Sequence, residues 1–205
     1  MILMTIDHIG FIFYMSPIYR IIGRLSFPLF AFLIYQGYLH TRNRRAYFFR
    51  LLLFGIALDL ALFGISFILP VPLDTRNIFI QLAFGVLGLA ILHEKRFNIL
   101  IKVALISYIA YIVTAFSVDY YWYGFLYIVS FGLFSTNKYL VILIQFFITF
   151  VYVYFYDMNI QYFALLSWIF IFLYNNELGP KLNKTFFYLY YPLHLAILYL
   201  VAEFL

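Results

Sequence analysis

The stretch KYLVILIQFFITFVYVYFY, residues 138–156, carries its single charge at Lys138 and interrupts an apolar and aromatic run only with Gln145 and Thr149. At about 1.5 Å of rise per residue, a helix of this length approaches the ~30 Å hydrocarbon core of a bilayer. Lipid admits only backbones whose polar groups are satisfied internally, which means helices or closed barrels. Barrel strands alternate apolar and polar residues, and this stretch does not. It reads as a transmembrane helix.

The same pattern recurs along the chain. Charges, Pro and Asn mark off apolar segments at about 2–16, 20–40, 47–69, 77–93, 97–118, 120–136, 138–156, 160–174 and 186–205. Some fall short of the ~20 residues of an ideal span, so the expectation is about nine transmembrane helices, with eight to ten as the range. The chain has 205 residues, 67% hydrophobic and 10% charged, with a mean hydropathy of +1.00, which excludes a water-soluble globular domain. The expected fold is all-α, a polytopic integral membrane helical bundle, multi-pass in a bacterial plasma membrane and forming one domain over 1–205. The first segment lacks a basic leader and a small-residue cleavage site, so it reads as a retained helix rather than a signal peptide.

Lys and Arg concentrate in cytoplasmic loops. Nine spans from a cytoplasmic N-terminus put Arg42/Arg44/Arg45, Lys95/Arg96, Lys138 and Lys181/Lys184 inside, and Asp74 with Arg76, Asp119 and Asp157 outside. The net charge of +5 therefore reflects topology, and no basic extramembrane domain exists to bind nucleic acid. The absence of cysteine excludes thiol nucleophiles, disulfides and Cys-ligated metals. No P-loop, dinucleotide fingerprint, zincin motif or nucleophile elbow is present.

Polar residues are concentrated early, in Asp7, His8, Arg20, Arg24, Gln36, His40, Arg50 and Asp59, whereas the later segments read as a wall to which the last helix adds His194. An ionisable group at mid-membrane costs roughly 2.5–3.5 kcal/mol and normally faces the bundle interior. Asp7 and His8, being adjacent, point about 100° apart on a helix. One is expected to meet the reacting group and the other to bond Arg20 or Arg24. Those two arginines share a helix face; Arg20 reads equally as a side chain snorkelling to the outer interface, and Arg24 as a buried ion pair or ligand contact. Gly23 permits close helix approach, and Pro28 can kink the second segment.

At the inner end of that segment, His40, Arg42, Asn43, Arg44 and Arg45, with Arg50 beyond, form a basic cluster. Positive-inside bias explains it, and so would a grip on the phosphates of a nucleotide-like donor. Asp59 falls near the midplane, where pairing with an Arg and a catalytic role are both open. Asn77 and Gln81 read as interhelical hydrogen-bonding groups. The aromatic clusters 120–123 and 188–191 read as interfacial belts. Pro192 and His194 lie inside the last span.

The combination of "IDHIG" at 6–10, "GRLSFP" at 23–28 within a longer polar-studded helix, "NIFIQLAFGVLGLAIL" at 77–92 and "YYPLHLAIL" at 190–198 resembles the TraX family, among the transmembrane acyltransferases. The resemblance covers nearly the whole chain. It implies an acyltransferase, acetyl transfer being the expected reaction, that takes its acyl group from cytosolic acetyl-CoA or another acyl-CoA and delivers it at or beyond the outer face. Family members are associated with N-terminal acetylation of conjugative pilin. The acceptor classes are a peptide N-terminus, a glycan or a lipid; a homodimer is compatible, and no metal is expected. By the same resemblance His8 is the membrane-embedded catalytic histidine, Asp7 its acidic neighbour and Arg24 the second-helix arginine. Where the family pattern often has an acidic residue and Thr, this chain has Gln36 and Gln81.

In the resulting picture His8 acts as general base or transient acyl carrier, Asp7 fixes its tautomer or stabilises its imidazolium, and Arg24 stabilises the tetrahedral oxyanion. Arg20, His40, Arg42, Asn43, Arg44, Arg45, Arg50, Asp59, Asn77 and His194 are candidates for binding acyl-CoA or acceptor. The competing class is a small proton-coupled transporter or flippase using the same buried cluster. It would show inverted-repeat symmetry, which the uneven distribution of polar residues does not suggest.

Overall fold

A computed structural model describes residues 1–66, 77–133, 137–175, 177 and 184–203. Among these it is helical throughout, without strands, and its helices are α1 (Ile2–Ile12), α2 (Pro17–Gly23), α3 (Ser26–His40), α4 (Arg44–Ser66), α5 (Ile78–His93), α6 (Ile99–Ala115), α7 (Tyr121–Leu133), α8 (Lys138–Tyr156), a 3₁₀ segment (Asn159–Ser167), α9 (Trp168–Phe172) and α10 (Lys184–Glu203). Pro17–His40, Arg44–Gly64, Lys138–Tyr156 and Thr185–Glu203 are long and apolar enough to cross a membrane, and shorter apolar helices accompany them. Asp74, Arg76 and Lys181, used above to orient the chain, lie outside the described residues.

The chain divides into two compact units, Met1–Phe30 with Thr149–Leu205, and Ala31–Ile148. The division falls within α3 and α8.

In the second unit, asparagines mark the helix starts. Asn43, Asn77, Asn98 and Asn137 each stand immediately before a helix, and each side-chain oxygen accepts a backbone N–H from its first turn: Ala46, Phe79, Ile101, and Tyr139 with Leu140. The same residues interrupt the apolar runs in the sequence because an N-cap is polar and local. Asn43 is thereby the cap of α4. α5 packs against α4, α6 and α7. The approach to α7 is close: a Cβ at Gly88 would run into Val129 and Phe125. Around that contact Ile91, Ile109, Val113, Phe125 and Val129 form the core.

The aromatic cluster at 120–123 does not simply form a belt. Tyr123 is fully buried, as is Tyr127 one turn on, their ring centroids 5.4 Å apart.

In the first unit, α1 and α2 form a helical hairpin, α1 packs on α10, and α2 packs on the 3₁₀ segment. Pro17 opens α2 at a position where its missing N–H costs nothing. The second apolar segment is not one continuous helix, because it is interrupted at Arg24 and Leu25. Proline 28 explains the place: its absent N–H would have served the carbonyl of residue 24, four positions earlier, and its ring crowds that carbonyl. The eighth segment also departs from a regular span, running as 3₁₀ helix over Asn159–Ser167 before α9. With three residues per turn, Gln161, Ala164 and Ser167 share one face, and all three are buried.

Candidate functional site

The polar centre of the first unit starts from α1. Thr5 and His8, three residues apart, share a face, while Asp7 is rotated about 100° from His8 and meets α2. The contact is tight because residue 23 is glycine; a Cβ there would overlap the Asp7 side chain. Both carboxylate oxygens of Asp7 accept from Arg24 Nη2, at 2.9 Å and 2.7 Å. Arg20 Nη1 lies 3.0 Å from Asp7 Oδ2 and also donates to the Asp7 backbone carbonyl at 3.4 Å. Arg24 Nη1 reaches Gln161 Oε1 on the 3₁₀ segment at 3.4 Å. The side chains of Arg24 and Asp7 are 6% and 11% exposed, against 25% for Arg20, so Arg24 is the inner and Arg20 the outer cation of a shared carboxylate.

Asp7 therefore bonds the arginines, as expected of one member of the Asp7–His8 pair. It does not fix the His8 ring directly, since the helix turn separates the two side chains and both carboxylate oxygens are engaged by guanidinium groups.

His8 finds its partner on α10. Its Nδ1 lies 2.8 Å from His194 Nε2, across 186 positions of sequence, and the rings are 5.0 Å apart at 33°. His194 Nδ1 is 2.8 Å from the Tyr190 carbonyl one turn back. The Tyr190 ring stacks on His194 at 5.2 Å, and its hydroxyl lies 2.7 Å from Thr5 Oγ1, a second α1–α10 link. Tyr191 stands edge-on to both imidazoles, at 6.3 Å and 5.6 Å. Thus Tyr190 and Tyr191, read as part of a belt, wall the histidine pair. The C-terminal region brings Gln161, Tyr190, Tyr191 and His194 to α1 and α2.

The remaining sequence candidates belong to the second unit. His40, Arg42, Asn43, Arg44, Arg45 and Arg50 are exposed around the α3–α4 junction. Arg44 lies over the Tyr38 ring at 4.3 Å and Arg50 over Tyr47 at 6.0 Å, while His40 Nδ1 contacts the Gln36 carbonyl at 2.9 Å. Among the described residues Asp59 accepts from Asn77 Nδ2, which also donates to the Gly55 carbonyl at 3.0 Å. Gln81, fully buried, donates to the Tyr121 carbonyl at 3.1 Å. Among the described residues, no three acidic or histidine side chains gather as a metal site.

The family model of the TraX protein matches residues 1–202. The chain belongs to the TraX family. The histidine pair and the Asp7–Arg24 pair thus lie on "IDHIG", "GRLSFP" and "YYPLHL", three of the stretches that carry the resemblance. A curated relative, the "Probable fimbrial assembly protein FimC, serogroup H1" of Dichelobacter nodosus, is 33% identical over 117 residues, covering 51% of this chain and 48% of the relative. The match thus spans about half the length of that relative. No solved structure matches this TraX chain.

Proposed function

We propose that this chain is a membrane-embedded acyltransferase, moving an acetyl or other acyl group from cytosolic acyl-CoA to an acceptor at the membrane or beyond it, with about nine crossings of a bacterial plasma membrane and a cytoplasmic N-terminus. The observation that carries the reading is an imidazole pair, His8 and His194, held beside a buried carboxylate–guanidinium cluster on adjoining helices. Imidazole is the one side chain whose unperturbed pKa, near 6.5, lets it take and return a proton at neutral pH. His8 removes the proton of the acceptor hydroxyl or amine as that atom attacks the thioester carbonyl, and the proton then goes to the departing thiolate. Arg20, the more exposed of the two arginines, and Arg24 put positive charge near the tetrahedral oxyanion. Arg42, Arg44 and Arg45 are assigned to the phosphates of the acyl-CoA.

Family membership supports a role in pilin or fimbrial biogenesis, and the printed name of the relative, a probable fimbrial assembly protein, points the search for an acceptor to surface-fibre subunits before glycans and lipids. The test is mass spectrometry of surface proteins, glycans and lipids from cells with the wild-type chain, with none, and with His8→Ala. One molecule class should lose an acyl mass in the last two. Wild-type transfer rates from purified His8→Ala would refute the proposal, and proton-coupled solute flux without any acyl transfer would establish the transporter reading instead.

A further inference from the structure

Hydrogen-bond bookkeeping along the imidazole pair assigns the reactive atom of the site. The Tyr190 carbonyl can only accept. The 2.8 Å contact with His194 Nδ1 therefore requires that Nδ1 carry the proton. A neutral His194 then presents a bare Nε2, which can only accept, so the 2.8 Å contact with His8 requires a proton on His8 Nδ1. A neutral His8 with its proton on Nδ1 has its lone pair on Nε2.

The other helical histidines sharpen the point. His40, His93 and His194 all place Nδ1 against the carbonyl four residues back, Gln36, Leu89 and Tyr190, at 2.9, 2.8 and 2.8 Å. That local contact is the default of a helical imidazole here. His8 differs, its Nδ1 facing a nitrogen of another helix. Two further contacts hold the pair in place: Tyr190 stacks on the His194 ring, and its hydroxyl meets Thr5 on the His8 face of α1.

We infer that His194 is a positioning residue that, with the Tyr190 carbonyl behind it, locks His8 in the Nδ1–H tautomer and leaves His8 Nε2 as the basic atom. The inference rests on the proposed acyltransferase reading and deepens it. When His8 Nε2 takes the acceptor proton, the ring becomes an imidazolium and its Nδ1–H···Nε2 bond to His194 becomes charge-assisted and stronger. The proton on Nε2 then leaves with the thiolate, and the bond relaxes to its neutral form. His194 gains and loses no proton in this cycle. It does for His8 what an orienting carboxylate does in a triad, which Asp7 cannot do while it serves the arginines.

The test reads the tautomer directly. Nitrogen NMR of the full chain, labelled at histidine and held in lipid nanodiscs at a pH where the rings are neutral, should show His8 with a protonated Nδ1 and a pyridine-type Nε2, its signals assigned by their loss in His8→Ala. A wild-type His8 protonated on Nε2 overturns the inference whatever the variants do. His194→Gln supplies an amide oxygen that can accept, and should keep the His8 proton on Nδ1. Its transfer rate should stay within about tenfold of wild type, whereas His194→Ala should release the tautomer and lose about 10²-fold or more. If His194→Ala keeps both the tautomer and the rate, His194 does not position His8. A correct tautomer with no acyl transfer would retire the proposed function and leave the tautomer lock standing; transfer with the opposite tautomer would do the reverse.

Discussion

Replacing Asp7 by Asn keeps the shape of the side chain and removes its charge, which makes it the most discriminating change in the molecule. Asp7 is shared by two guanidinium groups, Arg24 at 2.7 Å and Arg20 at 3.0 Å. Two unit charges about 4 Å apart attract by about 4 kcal/mol at an effective dielectric constant of about 20. Removing one partner of a buried pair costs about 3–5 kcal/mol, because the other charge stays desolvated. With Asp7→Asn, two cations are left facing each other, one of them 6% exposed. Arg24→Gln leaves the Asp7–Arg20 pair in place, and Arg20→Gln leaves the inner pair intact.

The expected order of destabilisation is therefore Asp7→Asn, then Arg24→Gln, then Arg20→Gln. At roughly 2–4 °C per kcal/mol for a chain of this size, a loss of about 3 kcal/mol lowers Tm by about 6–12 °C. Thermal unfolding of the purified variants in one detergent, followed by tryptophan fluorescence, measures it. A joint Asp7→Leu, Arg24→Met variant should recover most of the loss, since an apolar pair of similar volume is often no worse than a buried ion pair. An Asp7→Asn protein as stable as wild type, or less affected than Arg20→Gln, would show that the carboxylate does not neutralise the buried arginine.

Three further changes probe the scaffold. Gly23→Ala puts a methyl group into the Asp7 side chain and should cost about 1–3 kcal/mol, whereas Gly64→Ala, with nothing within 4 Å, should be neutral or gain up to about 1 kcal/mol; unfolding of the two side by side checks the contrast. Pro28→Ala restores an N–H for the Arg24 carbonyl, so α2 and α3 should join, drawing Arg24 from Asp7 and lowering the proposed acyl transfer by about 10²-fold while helicity by circular dichroism holds or rises. Arg96 holds the Glu94 carboxyl down to about 2, chiefly through the side-chain hydrogen bond, in the loop after α5. Its contribution to stability is thus complete above about 4.5 and is lost as the pH falls through about 2, and carbon NMR of Glu94 should titrate accordingly.

The parts of this molecule that follow local rules could be read from the sequence. Apolar runs became helices, asparagines became caps, and an acid placed in a greasy helix beside Gly23 found the arginines a short hairpin away, because a lone charge there has nowhere else to go. Even the break at Arg24 was written in Pro28, through the carbonyl four residues before it. What could not be read was which distant helix comes to α1. Nothing in the local pattern of α10 selects His8 as the neighbour of His194. Gln161 does carry a signal: Gln161, Ala164 and Ser167 recur every third residue, a spacing suited to a 3₁₀ face, yet within an apolar segment that spacing does not stand out from an ordinary span. The midplane position of Asp59 and the interhelical role of Asn77 are legible separately, but their pairing depends on how α4 meets α5.

The two polar clusters of the first unit share α1 and are coupled by its geometry. Asp7 and His8 are one residue apart, so the angle between their side chains is set by the helix and cannot be adjusted separately. Once Arg24 and Arg20 hold Asp7 against α2, the rotation of α1 about its axis is fixed, and with it the direction in which the His8 ring leaves the helix, toward His194. Thr5, a turn earlier on the His8 face, confirms the same rotation through Tyr190. The ion pair therefore acts on the imidazole without touching it. A loss of Asp7 must appear at His8 as a weakened bond to His194 and a released tautomer, whereas a loss of His194 should leave the Asp7–Arg24 pair, and the stability it confers, in place.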